Sequence, residues 1–564
     1  MDEKPWLKSY DPGMPHTLQP YPESTMLDVV HDTARQRPDH TALIFKGARM
    51  PYAALDRLSD AFGAALAAEG VQRRERVALL LPNSPQALIG ELGAWKAGAI
   101  VAPLNPLYTE RELEQMLNEC SAETVVVLTP FYDKIKALQP RTQVRRVIAT
   151  NIKEFLPAPL RLLFTLLKEK KEGYRIRFQA GDLWMSDLLR QHAGAPRPDV
   201  PVGPQDPALL LFSGGTTGEP KAALGTHQAI VMSAMQLHAY ASTVLVDWDD
   251  VVIMLMPLFH VYGNMCTNAA LVGHYPLALV PNPRDLDDLI ATIEKERPAM
   301  LHGVPSLFIA LLNHPRVQSG KADFTSLKVC YSAAAPLMAE TKHRFEALTG
   351  GRLLEAYALT ESMLAAVVSP VRGAYKEGST GIPVPDVVVR IADADTGEGS
   401  LPAGQVGEVL MRAPNLMAGY WERPTETANM IRDGWLTTGD LGYLDEDGYL
   451  FIVDRKKDVI KASGFQVWPR EVEEVIATHP AVVEVSVAGV PDERHGEAVK
   501  AWIVLREGQQ ATADEVRAYC RERMAGYKVP RHVEFRTTLP KTMVGKVLRR
   551  VLTQEEGGQP GTGA

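Results

Sequence analysis

Two hydrophobic rhythms alternate between Met26 and about residue 150. The stretches "TMLDVVHDTARQRP" and "YAALDRLSDAFGAALAAEG" carry apolar residues at helical spacing, while "RVALLLP", "AIVAPLN" and "TVVVLTP" are short apolar runs ended by Pro or Asn. Helices alternating with such runs predict βαβ units around a largely covered sheet. After the Pro-rich stretch "GAPRPDVPVGPQDP" (194–207), the same alternation resumes and continues to about Pro370. Residues 378–453 change character: "PDVVVRIAD", "GQVGEVLMR" and "GWLTTGDLGYLDEDGYLFIV" read as short strands parted by Gly and Asp turns. A charged connector, "DRKKDVIKASGFQVWPREVEEVI", leads into a last unit with strands "VVEVSVAGV" and "AVKAWIVL" and a helix "TADEVRAYCRERM", in which Thr512 and Glu515 have capping-box spacing. The expected class is α/β. A large N-terminal domain (1–456) of two α/β subdomains (about 26–207 and 208–377) and a β-rich one (378–456) precedes a small α+β domain (457–552) and a disordered tail (553–564).

One segment stands outside this scheme. In "KEFLPAPLRLLFTLLKEKKE" (153–172), Leu160, Leu163, Phe164 and Leu167 share a helical face, Pro159 suits a first turn, and Lys168, Lys170 and Lys171 suit a last one. Two readings stand: a helix docked on the protein core, or one lying on a membrane with its lysines toward anionic head groups.

Composition narrows the classes. At 564 residues the chain exceeds one ordinary domain, and 46% hydrophobic with 23% charged residues is a globular balance. A formal net charge of −8 supplies no basic surface for nucleic acid. Cys120, Cys266, Cys330 and Cys520 are scattered without a CxxC pair, which points to a reducing, cytoplasmic setting rather than a disulfide framework or zinc site. The acidic start lacks a secretory pattern, and no apolar run is long enough to span a bilayer.

The densest chemistry lies in "LLLFSGGTTGEPKAALGTHQ" (209–228). It fails the GxxxxGK[ST] pattern, yet Gly214, Gly215 and Gly218 allow backbone N–H groups close to an anion. Ser213, Thr216 and Thr217 add hydroxyls and Lys221 adds charge. A polyphosphate is the natural guest; the plain alternative is a Gly-rich turn from strand to helix.

"SGGTTGEPK" resembles the phosphate loop of the adenylate-forming superfamily of acyl-CoA synthetases, luciferases and peptide-synthetase adenylation domains. The resemblance continues through "PLFHVYG", "EAYALTES", "GWLTTGD", "DRKKDVIKASGFQVWPREVE" and "PKTMVGKVLRR", in the family's order. It implies ATP and CoA as co-substrates and Mg²⁺ as cofactor. By resemblance Thr360 contacts phosphates, Glu361 helps hold the metal, Tyr357 stacks on adenine, Asp440 accepts from the ribose hydroxyls and Arg455 supports them. Lys546 reaches the reacting carboxylate and α-phosphate, Lys457 is the hinge of a mobile C-terminal domain, and Gly464 lines the passage for the thiol. His260 lies between acyl pocket and thiol tunnel, although a histidine there also reads as simple packing. Ala222, Ala356 and Ala358 replace glycines common in the family, which matters only if the backbone there needs φ > 0.

"PLFHVYGNM" supplies no carboxylate to pair an amino acid's ammonium. "NPLYTERELEQMLNECSAETVVV" resembles bacterial long-chain fatty-acyl-CoA synthetases, which implies a fatty acid substrate and contact with the inner membrane face. An aryl- or medium-chain acid–CoA ligase, a non-catalytic acyl or nucleotide binder, and a homodimer all remain open on sequence.

Overall fold

The protein is described by a computed structural model covering residues 4–213, 220–462, 465–492, 496–541 and 547–557. The alternating first half folds as the rhythm predicts. An eight-stranded sheet runs in the order Gly419–Tyr420, Lys221–Thr226, Pro207–Ser213, Ile100–Pro103, Arg76–Leu80, Thr124–Leu128, Arg146–Thr150 and Leu183–Trp184. Its middle strands are parallel. Thr124–Leu128 is buried at every position, so it reads as an unbroken apolar run rather than an alternating one.

A nine-stranded sheet forms beside it, ordered Ile382–Pro383, Val367–Val368, Arg352–Tyr357, Val329–Ser332, Met300–Gly303, Val252–Met254, Leu277–Leu279, Thr41–Phe45 and Ala48–Pro51. Sheet membership crosses the chain's halves. Strands from 41–51 enter the second sheet, while Pro207–Ser213, Lys221–Thr226 and the distant Gly419–Tyr420 enter the first.

The β-rich stretch forms a third sheet from Val388–Ala392, Gly407–Arg412, Ile431–Arg432, Trp435–Leu444 and Leu450–Arg455. A fourth begins at Ile460–Ala462 and carries the long hairpin Val482–Asp492 and Gly496–Leu505, with His532–Arg536 parallel to the latter. Residues 456–459 connect the two. The helix Ala513–Arg521 starts with the predicted box, since Thr512 Oγ1 accepts from Glu515 N and the Glu515 carboxylate accepts from Thr512 N. Arg549 ties the last unit to the third sheet, reaching Asp454 at 3.1 Å, Asp458 at 3.4 Å and Glu473 at 2.7 Å.

The 153–172 segment corrects one expectation. The helix spans only Ala158–Leu167, no residue of it is buried, and Leu162 and Leu166 are 62% and 72% exposed. It is not docked on the core by its leucines. Phe164 alone turns inward, edge-on to Tyr174. Lys168, Lys170 and Lys171 follow the helix rather than occupying its last turn. Among the described residues no helix is long and apolar enough to cross a membrane.

Candidate active site

Strand register builds the first corner. Trp435–Leu444 and Leu450–Arg455 pair antiparallel with Asp440 opposite Arg455, and Arg455 Nε reaches Asp440 Oδ1 at 3.1 Å. Before Asp440, Gly439 holds φ at 70°, a left-handed angle that favours glycine. From the nine-stranded sheet, Tyr357 donates its hydroxyl to Asp440 Oδ2 at 2.6 Å. Asp440 is 4% exposed. Burial, reinforced by Asp440, keeps the Tyr357 phenol far above its ordinary range. The result is a buried acceptor-only carboxylate beside an aromatic ring and a guanidinium, a set suited to hydroxyls and a flat base.

Glu361 occupies the turn that follows Arg352–Tyr357 and is 8% exposed. The Tyr420 hydroxyl donates to its Oε1 at 2.8 Å. Sequence reasoning missed Tyr420. It belongs to a two-residue edge strand paired with Lys221–Thr226, and Lys221 Nζ lies 5.4 Å from its ring centre. Arg423, three residues on, fixes this edge through a bidentate pair with Glu119 at 2.8 Å each. Thr360 stands half-buried next to Glu361.

The glycine-rich loop joins two strands, not a strand and a helix. Pro207–Ser213 and Lys221–Thr226 are antiparallel with Ser213 opposite Lys221, so those two frame it as a hairpin. The helix His227–Ala241 begins only after the second strand. Gly214, Gly215, Thr216, Thr217 and Gly218 lie outside the described residues, as do Gly464 and Lys546. Ala222 is a buried strand residue, and neither it nor Ala356 nor Ala358 needs a left-handed backbone, so their methyl groups cost nothing there. Ala334, just beyond the strand Val329–Ser332, does hold φ at 70°, a left-handed angle, and nothing in the sequence reading singled it out.

A cavity of about 880 Å³, counting its open mouth, extends from this corner. Its mouth is formed by Ala333, Ala334, Tyr357 and Ala358 at the carboxyl ends of the strands, and its walls by His260, Tyr262, Cys266 and His302. No Asp, Glu, Lys or Arg is among the described residues lining it. His260 caps the helix Val261–Val272, its Nδ1 accepting from Tyr262 N at 3.2 Å, which leaves Nε2 as the protonated nitrogen. His302 lies 3.8 Å from the Cys266 thiol, and burial lowers it to about 4, so this wall is neutral at pH 7. Lys457 is exposed in the 456–459 turn, two residues beyond Arg455.

Comparisons with known proteins give the family. The profile of the family described as AMP-binding enzyme matches residues 30–421, and that of the AMP-binding enzyme C-terminal domain matches 471–546. A long-chain-fatty-acid–CoA ligase of Bacillus subtilis is 39% identical, covering 98% of both chains. One from Yersinia pestis is 37% identical, again over 98% of each. Among solved structures, ATP-bound MatB from Rhodopseudomonas palustris superposes with a TM-score of 0.80 at 29% identity, covering 95% of this chain and 99% of its own. With the profile matching most of the chain and full-length relatives at 37–39% identity, the chain belongs to the AMP-binding enzyme family.

Proposed function

We propose that the chain joins a long-chain fatty acid to CoA in two steps: the carboxylate attacks the α-phosphate of ATP and expels pyrophosphate, then the CoA thiol displaces AMP from the acyl-adenylate. The observation that carries this reading is the neutral, apolar cavity opening directly at the Tyr357–Asp440–Arg455 corner. An uncharged tail fits there without an unpaired buried charge, whereas an amino acid's ammonium would find no carboxylate among the described lining residues.

Asp440 accepts from the ribose hydroxyls, Tyr357 lies against the base, and Lys221 with the hairpin faces the departing phosphates. Thr360 adds a hydroxyl to them. Lys546 neutralises charge growing on the α-phosphate, and preorganised positive charge of this kind is a main route to lowering such a barrier. Mg²⁺ fits the donor set as an ion arriving on ATP. Glu361, its carboxylate oriented by Tyr420, would hold the ion together with the phosphates it arrives on, as suits a hard, oxygen-preferring cation. Bound there, the ion screens phosphate charge.

For the second step the small domain pivots at Lys457 and presents Gly464 to the thiol. His260, in the cavity wall, lies between the acyl pocket and the path of the thiol. The chain works in the cytoplasm, and the leucine face of Ala158–Leu167, followed by Lys168, Lys170 and Lys171, rests on the inner membrane surface from which fatty acids are drawn. Burying one exposed leucine contributes ~1.5–3 kcal/mol, and the lysines add attraction to anionic lipid.

The test is pyrophosphate and AMP release across acids from acetate to oleate, with and without CoA. Pyrophosphate release should need only ATP, Mg²⁺ and acid, AMP release should need CoA, and both should peak with long chains. A peak with aromatic acids would reassign the substrate; an adenylate formed without a thiol-dependent second step would overturn the acceptor.

A further inference from the structure

The cavity runs the width of the nine-stranded sheet. Its mouth lies at the carboxyl ends of the parallel strands, whereas Val252 and Met300, paired in register, line it at their amino ends. The helix Val261–Val272 runs along the wall in the opposite sense: Tyr262 stands at its start, toward the mouth, and Ala270 toward the far end, ~12 Å apart at 1.5 Å per residue. Tyr275 closes that far end. It is 1% exposed, lines the cavity with its ring, and sends its hydroxyl to the half-exposed Asp247 at 2.7 Å. The wall between cavity and surface is thus one aromatic ring thick.

The ring's position is defined from both sides. His238 Nδ1 stands 3.4 Å from the Tyr275 hydroxyl, and its Nε2 lies 3.6 Å from Asp247. Gly273 packs so closely that a Cβ there would meet Tyr275 Cε2 at 2.3 Å and His238 Nδ1 at 2.6 Å. Trp248 and His274, the chain neighbours of Asp247 and Tyr275, stack with centroids 3.9 Å apart, and both hold left-handed backbone angles (φ 74° and 58°). Two surface segments are clipped together over the end of the cavity.

We propose that Tyr275 is the barrier at the far end of the acyl site, which a chain longer than this span passes only by displacing the ring, and that Asp247 and His238 are positioning residues that latch it. The proposal rests on the cavity being the acyl site. A chain that reaches the far end meets the ring, and a longer one binds only if the ring leaves its hydrogen bond to Asp247, opening the cavity toward the surface. One methylene more or less in such a pocket changes kcat/KM by ~10- to 200-fold, so moving this one side chain is enough to shift the preferred substrate.

The test measures kcat/KM over saturated acids from decanoate to behenate for the wild type, Tyr275→Ala, Asp247→Ala and Cys266→Phe, the last filling the middle of the cavity. Tyr275→Ala should raise the behenate-to-decanoate ratio by about tenfold or more. Asp247→Ala should raise it less, and Cys266→Phe should lower it. Tyr275→Leu, which keeps an apolar side chain in place, is read in the same way if the alanine variant does not fold. An unchanged ratio in the Tyr275 variants with the Cys266→Phe shift intact overturns the barrier. Unchanged ratios in all variants overturn the placement of the acyl chain in this cavity.

Discussion

Tyr357 and Asp440 belong to different sheets and meet through one 2.6 Å hydrogen bond, the phenol donating to a carboxylate that Arg455 holds from its other side. Asp440→Ala should therefore cut kcat/KM for ATP by about 10- to 100-fold, since a hydrogen bond to a charged group is worth ~1.5–3 kcal/mol. Tyr357→Phe removes one of two anchors and keeps the ring, so its loss should be smaller, about 2- to 10-fold, at ~0.5–1.5 kcal/mol. Initial rates against ATP concentration separate the two.

The Glu361–Tyr420 pair predicts a metal phenotype. Tyr420→Phe leaves the carboxylate in place but unoriented, and should raise the Mg²⁺ concentration for half-maximal rate by about tenfold. Glu361→Gln should raise it more and also depress kcat. A Mg²⁺ titration at saturating ATP checks both; equal curves for wild type and Tyr420→Phe would count against the orienting role.

The two half-reactions should come apart. Lys546→Ala should abolish adenylate formation yet transfer supplied acyl-AMP to CoA at close to the wild-type rate. Lys457→Pro should form adenylate and fail in transfer, because proline fixes the angle a pivot must change. Loss of both half-reactions equally in either variant would remove its assigned role.

Changing Leu162, Leu163, Leu166 and Leu167 together to Ser should leave the melting temperature within a few degrees, since none of the four is buried. Co-sedimentation with anionic vesicles should fall sharply. Unchanged sedimentation would place the lipid contact elsewhere.

Glu91 gives a pH signature. Enclosed by Leu79, Leu88 and Phe259 with a hydrogen bond from Asn264 at 2.8 Å, its carboxyl is pushed up by burial to about 7. Its folded value lies above its unfolded one, so the native state favours the protonated form and loses stability as pH rises from about 4.5 to 7. Glu91→Gln should remove that slope. Denaturant unfolding at several pH values should show its advantage over wild type growing through this window and then levelling.

The corner of the candidate site was legible in part because Asp440, Arg455, Glu361 and Lys221 stand in motifs whose order along the chain is informative, and the fold brings Asp440 and Arg455 together. Tyr420 was not, since its partnership with Glu361 exists only because Gly419–Tyr420 adds to a strand far away in sequence. That the glycine-rich stretch lies between two paired strands was not legible, because "KAALGT" has no strand alternation; its pairing with Pro207–Ser213 supplies what the pattern lacks. The amphipathic stripe at 158–167 was visible, but a stripe does not say whether protein or solvent faces it. Tertiary packing decides that, and here it leaves the leucines outside.

The crossing of strands between the two large sheets also governs how the chain comes off the ribosome. The second-half sheet takes its edge from residues 41–51 and its last strand from Ile382–Pro383, while the first-half sheet is completed only by Gly419–Tyr420. Neither sheet is whole until well over half the protein has been synthesised. Strands made early keep unpaired edges until their later partners arrive, so a chain truncated before Tyr420 should aggregate more readily than the full-length one.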